Sequence, residues 1–330
     1  MNKYRAVFLL LAFMAVLPLY SQDSLKIKSE YLPDLDGILK TKVEYDLDNS
    51  LIRFGVRNAR FGAKGRVNDY MSYRVEVDLS DEGKIKMLDA FVRLTPVHNL
   101  DIYMGQRKIP FSTDYIRNPA ENIFANRSFL AKYINDGMRD IGFYIDYKIT
   151  SAFPLSLLVG AVNGTGNNNP QWIERPNLVG RVVAGNETGI RAAGNLYSGE
   201  ALHKDHLLMF GGELRYSTDR FLIESEYIRR SWTDTSSVHV KDDGLYIHSY
   251  YNIPLNNRMI SFVTPVARFD MMGNSVISRK VDASRITLGV NISFEQKQFY
   301  SELRFNYENY LKGNLPIHTD KVTIEFIGRF

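Results

Sequence analysis

The last ten residues, Lys321 to Phe330, constrain the fold more than any other stretch. Val322, Ile324, Phe326, Gly328 and Phe330 alternate with Thr323, Glu325, Ile327 and Arg329. On an extended strand the first set shares an apolar face and the second a mostly polar one. The alternation recurs in Tyr70 to Ser80, where Met71, Tyr73, Val75, Val77 and Leu79 oppose Ser72, Arg74, Glu76 and Asp78. Charges at every second position of an apolar run do not fit a sheet buried on both faces. They fit strands with one face in an apolar medium and the other in water.

From Asp36 onward the chain repeats this pattern in sixteen segments of roughly nine to fifteen residues, the length of tilted membrane strands. Clear examples are Gly37 to Asp46, Leu51 to Lys64, Leu100 to Arg107, Met138 to Lys148, Ser284 to Phe294 and Gln298 to Asn309. Asn177 to Ala184 and Gly189 to Tyr197 show it least distinctly. Short turns at Arg66 to Asp69, Pro96 to Asn99, Gly185 to Thr188 and Ser217 to Arg220 alternate with connections that are mostly longer, including Lys108 to Gly137. The expected fold is all-β: a transmembrane antiparallel barrel of about sixteen strands, with both termini on the short-turn, periplasmic side. Sixteen strands leave room for a water-filled lumen. Outer-membrane barrels commonly end in an aromatic residue that the barrel-assembly machinery reads, and Phe330 resembles that assembly signal.

Composition agrees with this reading. Lys3 and Arg5 precede an apolar run from Ala6 to Leu17 and a polar exit ending at Ser21, which reads as a secretory signal over residues 1–21. Residues 22–35 then form an N-terminal periplasmic segment and 36–330 the outer-membrane barrel of a Gram-negative bacterium. No later apolar run reaches the length of a membrane helix, so a spanning structure has to be a closed barrel. The mean hydropathy of -0.23, with 20 Tyr and 19 Phe, suits half-polar strands bounded by aromatic girdles; a secreted all-β protein shares that composition. The 330-residue chain has no cysteine, which excludes disulfides and thiolate metal sites. With 41 Lys and Arg against 37 Asp and Glu, the charge balance gives no sign of a nucleic-acid binder.

The ordered runs Val56 to Gly65, Tyr73 to Asp78, Leu88 to Val92, Met104 to Phe111, Arg139 to Gly142 and Asn163-Gly164 resemble the phosphate-selective porin O/P family. That resemblance covers essentially the whole chain after residue 21 and is densest from Leu51 to Gly164. It implies a sixteen-stranded outer-membrane porin, usually trimeric, whose third loop folds into the lumen and lines a basic constriction. Where many members carry Glu-Arg-Ser in that loop, this chain has Asn126-Arg127-Ser128. Asn cannot hold Arg127 with a charge-assisted bond, so phosphate preference carries over less directly than the channel itself.

The residues point to diffusion rather than catalysis. His98, His203, His206, His239, His248 and His318 fall mostly in predicted connections, and neither Gly-x-Ser-x-Gly nor His-Glu-x-x-His occurs. His203 and His206 lack a third metal ligand, and no cofactor is implied. The stretch from Arg107 to Asp136 holds Arg107, Lys108, Arg117, Arg127 and Lys132 against Asp114, Glu121 and Asp136. Such an excess of positive charge in a low-dielectric ring concentrates anions. These five residues, with Arg57, Arg74 and Arg93 on the predicted lumen faces, are the candidate anion path. Other inward charges, such as Arg304 beside Glu302, are expected to form cross-strand pairs. The expected partners are small anionic solutes such as phosphate, outer-membrane lipid, the barrel-assembly machinery and two further copies in a homotrimer. The competing reading is a structural barrel whose loops plug a non-conducting lumen.

Overall fold

The computed structural model describes residues 32–81, 83–134, 139–201, 204–255, 258–296, 299–313 and 319–330. The expected signal over residues 1–21, most of the 22–35 segment, Asp136, His203 and His318 lie outside the described residues. The strands are β1 (Asp34–Asp46), β2 (Leu51–Asn68), β3 (Met71–Asp81), β4 (Lys84–Val97), β5 (Leu100–Lys108), β6 (Arg139–Ile149), β7 (Leu155–Val162) and β8 (Asn177–Gly185). They continue as β9 (Gly189–Ala201), β10 (Lys204–Ser217), β11 (Phe221–Thr233), β12 (His239–Tyr251), β13 (Ile253–Pro254), β14 (Phe262–Ser275), β15 (Lys280–Gln296), β16 (Phe299–Gly313) and β17 (Lys321–Arg329).

All belong to one antiparallel sheet in which each strand pairs with its chain neighbours and β1 pairs with both β2 and β17. The sheet is therefore a closed ring without an edge. The two-residue β13 keeps the register of β12 on β14, as the pairs Tyr250 with Val266 and Ile253 with Val263 show. The break at Asn252 interrupts one stave, and the ring has the sixteen staves expected from the sequence.

The faces follow the alternation. On β17, Val322, Ile324 and Phe326 are 37–40% exposed while Thr323 and Glu325 are 0% exposed. Apolar side chains thus point away from the ring, and polar ones are buried inside it. This inversion of a soluble core is what a lipid-facing barrel requires. The inward carboxylates and cations pair across and along strands: Arg60 with Glu76 and Asp78 and Arg230 with Asp242 on neighbouring strands, Arg304 with Glu302 on its own strand and with Glu325 on the next.

The expected alternation in connection length is carried mainly by two connections, 109–138 and 163–176. Others at that end, such as 47–50 and 276–279, are as short as the turns opposite. The strands run past the apolar band as paired hairpins, with Ser275 still opposite Lys280, so the loops expected there are partly strand.

The ring closes at a specific contact. Phe330 and Gly37 exchange backbone hydrogen bonds of 3.0 and 3.1 Å, and a Cβ at residue 37 would collide with the Phe330 ring. Glycine is needed here for close approach rather than for its backbone freedom. Gly37→Leu should displace the ring and lower the yield of folded barrel at least severalfold, measured as the heat-modifiable gel band after refolding into detergent.

Candidate functional site

The segment between β5 and β6 is built to lie against a wall. Ile109, Phe111, Phe124, Phe129, Leu130 and Ile134 are all 0–2% exposed. Several pack with inward-facing Tyr144, Val179, Tyr197, Met209, Ile228 and Tyr246 in one apolar cluster. Gly244 on β12 leaves a hollow for it, since a Cβ there would stand 2.6 Å from Leu130 Cδ2 and 2.9 Å from Ile134 Cδ1. Phe124 and Phe129 lie under the guanidinium groups of Arg268 and Arg285, 4.5 and 4.6 Å from the ring centres. The segment contains one helical turn, α1 (Thr113–Ile116), which Ser112 caps, and a π-helical turn, Leu130–Ile134.

Polar bonds fix the rest of it. Phe129 N donates to Asp270 at 2.9 Å and Ala125 N to Asn306 at 2.7 Å. Arg285, Arg268 and Arg304 donate to the carbonyls of Arg127, Asn126 and Ala120 at 3.0, 3.0 and 3.1 Å. Asn126 donates to Glu308 at 3.0 Å and accepts from Lys42 at 3.4 Å. Thr113 bonds Glu213, which Arg181 also holds. These partners come from β1, β8, β10, β14, β15 and β16, and Arg117 adds β11 through Glu224.

The candidate anion-path residues do not form one group. Arg117 donates to both oxygens of Glu224 at 2.7 and 2.8 Å, so its charge is spent on anchoring. Arg127 donates to the carbonyl of Asp114 and, at 3.4 Å, to that of Arg117. It is a staple inside the segment. Asn126 faces Glu308 rather than Arg127, and a Glu there would oppose that carboxylate. Lys132 is exposed beside Tyr133. Lys108 extends its amine to the carbonyls of Tyr115, Ile116 and Arg117 at 3.0–3.3 Å. Arg107 lies over the Tyr103 ring at 4.0 Å. Arg74 binds Asp36 and Glu76. Arg93 is exposed and donates to Ser72, and Arg57 occupies a bulge where β2 has one residue more than β1.

Two adjoining cavities lie along the wall that the segment leaves free. One, of about 440 Å³, is lined by Asp36, Arg60, Lys64, Arg74, Glu76, Asp89, Lys108, Arg139 and Arg329 among others. The second, of about 280 Å³, shares Asp89, Lys108 and Ile116 and adds Phe91, Arg107, Leu158, Arg181 and Val183. Together they present eight cationic side chains and three carboxylates. Arg57, Arg93, Arg117, Arg127 and Lys132 line neither. The candidate set drawn from the sequence lacked Arg60, Lys64, Arg139, Arg181 and Arg329. Arg60 was hidden by the bulge at Arg57, which shifts the inward phase from odd to even residues. Arg139, which bonds Asp89 at 2.9 Å, was visible in the Arg139 to Gly142 motif.

Asp114 ties the two halves of the anchored segment together. Its carboxylate accepts from Ser128 N at 3.0 Å and from the Ser128 hydroxyl. Burial alone would push this carboxyl up, but Arg127, Arg117 and Arg268 and the Ser128 bond hold it down at about 2. A depressed carboxyl contributes stability that is complete above the ordinary value near ~3.9 and is lost as pH falls through the folded value. The segment should therefore resist proteolysis equally at pH 7 and pH 4 and lose protection toward pH 2. Pepsin digestion between pH 4 and 2 checks this, with Asp114→Asn expected to lower protection at pH 4 and to reduce the pH dependence to that of the remaining anchors Glu224 and Glu308.

Among the described residues no group of three His, Asp or Glu side chains is placed to hold a metal ion, and His248 is buried, stacked on Tyr246.

Comparison with known proteins places the fold. An anion-selective porin from Comamonas acidovorans superposes with a TM-score of 0.62 at 12% identity, covering 91% of this chain and 99% of that one. The trimer form of OmpT, an outer membrane protein of Vibrio cholerae, gives 0.62 at 11% identity over 91% and 99%. The outer membrane channel DcaP of Acinetobacter baumannii gives 0.60 at 13% identity over 92% and 98%. No curated protein matches the chain in sequence. Residues 36–171 match the family model for phosphate-selective porin O and P, so the chain carries that family's sequence over its first seven strands and the fold of the outer-membrane porins over about nine-tenths of its length.

Proposed function

We propose that this protein is an outer-membrane diffusion channel that favours small anions, and that solutes pass between segment 109–134 and the wall of β2 to β6. One observation carries the reading: the segment bonds to side chains of seven strands spread round a closed ring. Only the interior of the ring gives one segment access to all of them, so it crosses the lumen. It leans on the β8 to β16 side, and seven of the eight cavity cations, all but Arg181 of β8, remain on the other. The filter on this reading is chiefly the wall: Arg60, Lys64, Arg74, Arg107, Arg139 and Arg329. Lys108, at the end of β5, reaches the path just before the segment begins, while Arg117 and Arg127 of the segment shape it.

The match of residues 36–171 and the anion-selective Comamonas porin support this preference, and the trimeric Vibrio protein supports a homotrimer. On the same reading residues 1–21 direct export and Phe330, seated on Gly37, guides the assembly machinery. The zero-current potential of the purified protein in a planar bilayer under a dilute salt gradient tests the proposal. An anion-directed potential supports it; a closed, non-conducting barrel would favour the plugged structural reading, for which the many anchors of the segment are the specific argument.

A further inference from the structure

The smaller cavity is not a site suited to a fully hydrated inorganic anion. Phe91, Pro110, Ile116, Leu158 and Val183 supply half of its lining residues. The guanidinium carbon of Arg107 lies over the Tyr103 ring, 4.0 Å from its centre, with the centres of the Tyr144 and Phe91 rings within 6 Å. Among the described residues its side chain makes no ion pair or hydrogen bond, and its buried Nη1 has no partner. The other two cations of the cavity are committed: Lys108 to three backbone carbonyls, Arg181 to Glu213. A guanidinium braced on aromatic rings keeps its planar fork free for a carboxylate. Phosphate would gain from the fork but leave the apolar wall unfilled. At about 280 Å³ the space is close to the lower limit of small-molecule sites, roughly 300 Å³.

We infer that this cavity is a binding subsite on the conducting path for organic monocarboxylates with a compact apolar body, of the size of an aromatic ring acid. The inference rests on the channel reading for its place on a path, but not for the binding itself. The carboxylate would pair with Arg107, and the ring would lie against Leu158 and Val183.

Isothermal titration of the detergent-solubilised barrel with benzoate, acetate and inorganic phosphate tests the site without requiring conduction. Benzoate should bind at least tenfold more tightly than acetate or phosphate. Arg107→Gln should weaken benzoate at least tenfold, and Leu158→Asn should weaken benzoate while leaving acetate unchanged, with the heat-modifiable band showing that each variant is folded. Phosphate binding as tightly as benzoate, or benzoate binding that Arg107→Gln leaves unchanged, would overturn the inference. Chloride current in the absence of benzoate is recorded separately: its loss overturns the channel reading, while the titration still decides the site.

Discussion

Reversing Lys64 and Arg107 together to Glu should turn the anion-preferring channel into a cation-preferring one. Both line the cavities, and neither has an acidic partner among the described residues, so the change strands no buried carboxylate. One unit charge about 5 Å from a passing ion is worth roughly 0.8 kcal/mol in a water-like medium. Two reversals alter four such contributions, and even after screening with a Debye length of roughly 10 Å at 0.1 M the anion-to-cation permeability ratio should fall at least ~10-fold. The shift should shrink at 1 M salt. Reversing Arg127 should act differently, because a Glu there would face Asp114 and lose the carbonyl bonds that staple the segment. Its effect should be on channel stability, with fluctuating currents and little change in ion preference. Ion permeability ratios from zero-current potentials of the two variants separate these outcomes.

Leu130→Asp should release the segment from its wall. Leu130 is fully buried over Gly244. Losing that burial costs about 2–3 kcal/mol, and a carboxylate in the apolar seat adds to the cost. At 1.4 kcal/mol per factor of ten, the unseated population should rise on the order of a hundredfold. Steady open current should give way to frequent closures, since the freed segment can enter the gap beside it, and external protease should cut within 109–134 at a correspondingly higher rate. Gly244→Leu fills the hollow from the wall side and should reproduce the phenotype. If the two variants differ, with one gating and the other silent, the hollow is not the seat.

Much of this was legible because lipid imposes a period on sequence. The faces of β3, β6 and β17 follow directly from alternation: Phe143 and Tyr147 are exposed to the outside, and Tyr144 and Asp146 are buried inside. The strands that read weakly have a physical reason to do so. On β8 and β9, Leu178, Val182 and Leu196 face outward while Val179 and Tyr197 face inward as part of the seat for the loop. A strand apolar on both faces loses its two-fold signal. The inward phase of β2 was legible only up to the bulge at Arg57, since one inserted residue moves every later side chain to the other face. That concealed Arg60. The site was less legible than the fold because a cation's availability depends on its partner. Arg117 and Arg107 look alike in sequence, yet the first is tied to Glu224 and the second is free of carboxylates.

The central claim is that anions pass along the basic wall opposite segment 109–134. The zero-current potential of the wild-type protein across a tenfold gradient of dilute potassium chloride tests it most directly, repeated with Lys64→Glu/Arg107→Glu. The account predicts an anion-directed potential that reverses sign in the double variant. A wild-type potential near zero, or one that the double variant leaves unchanged, would contradict it.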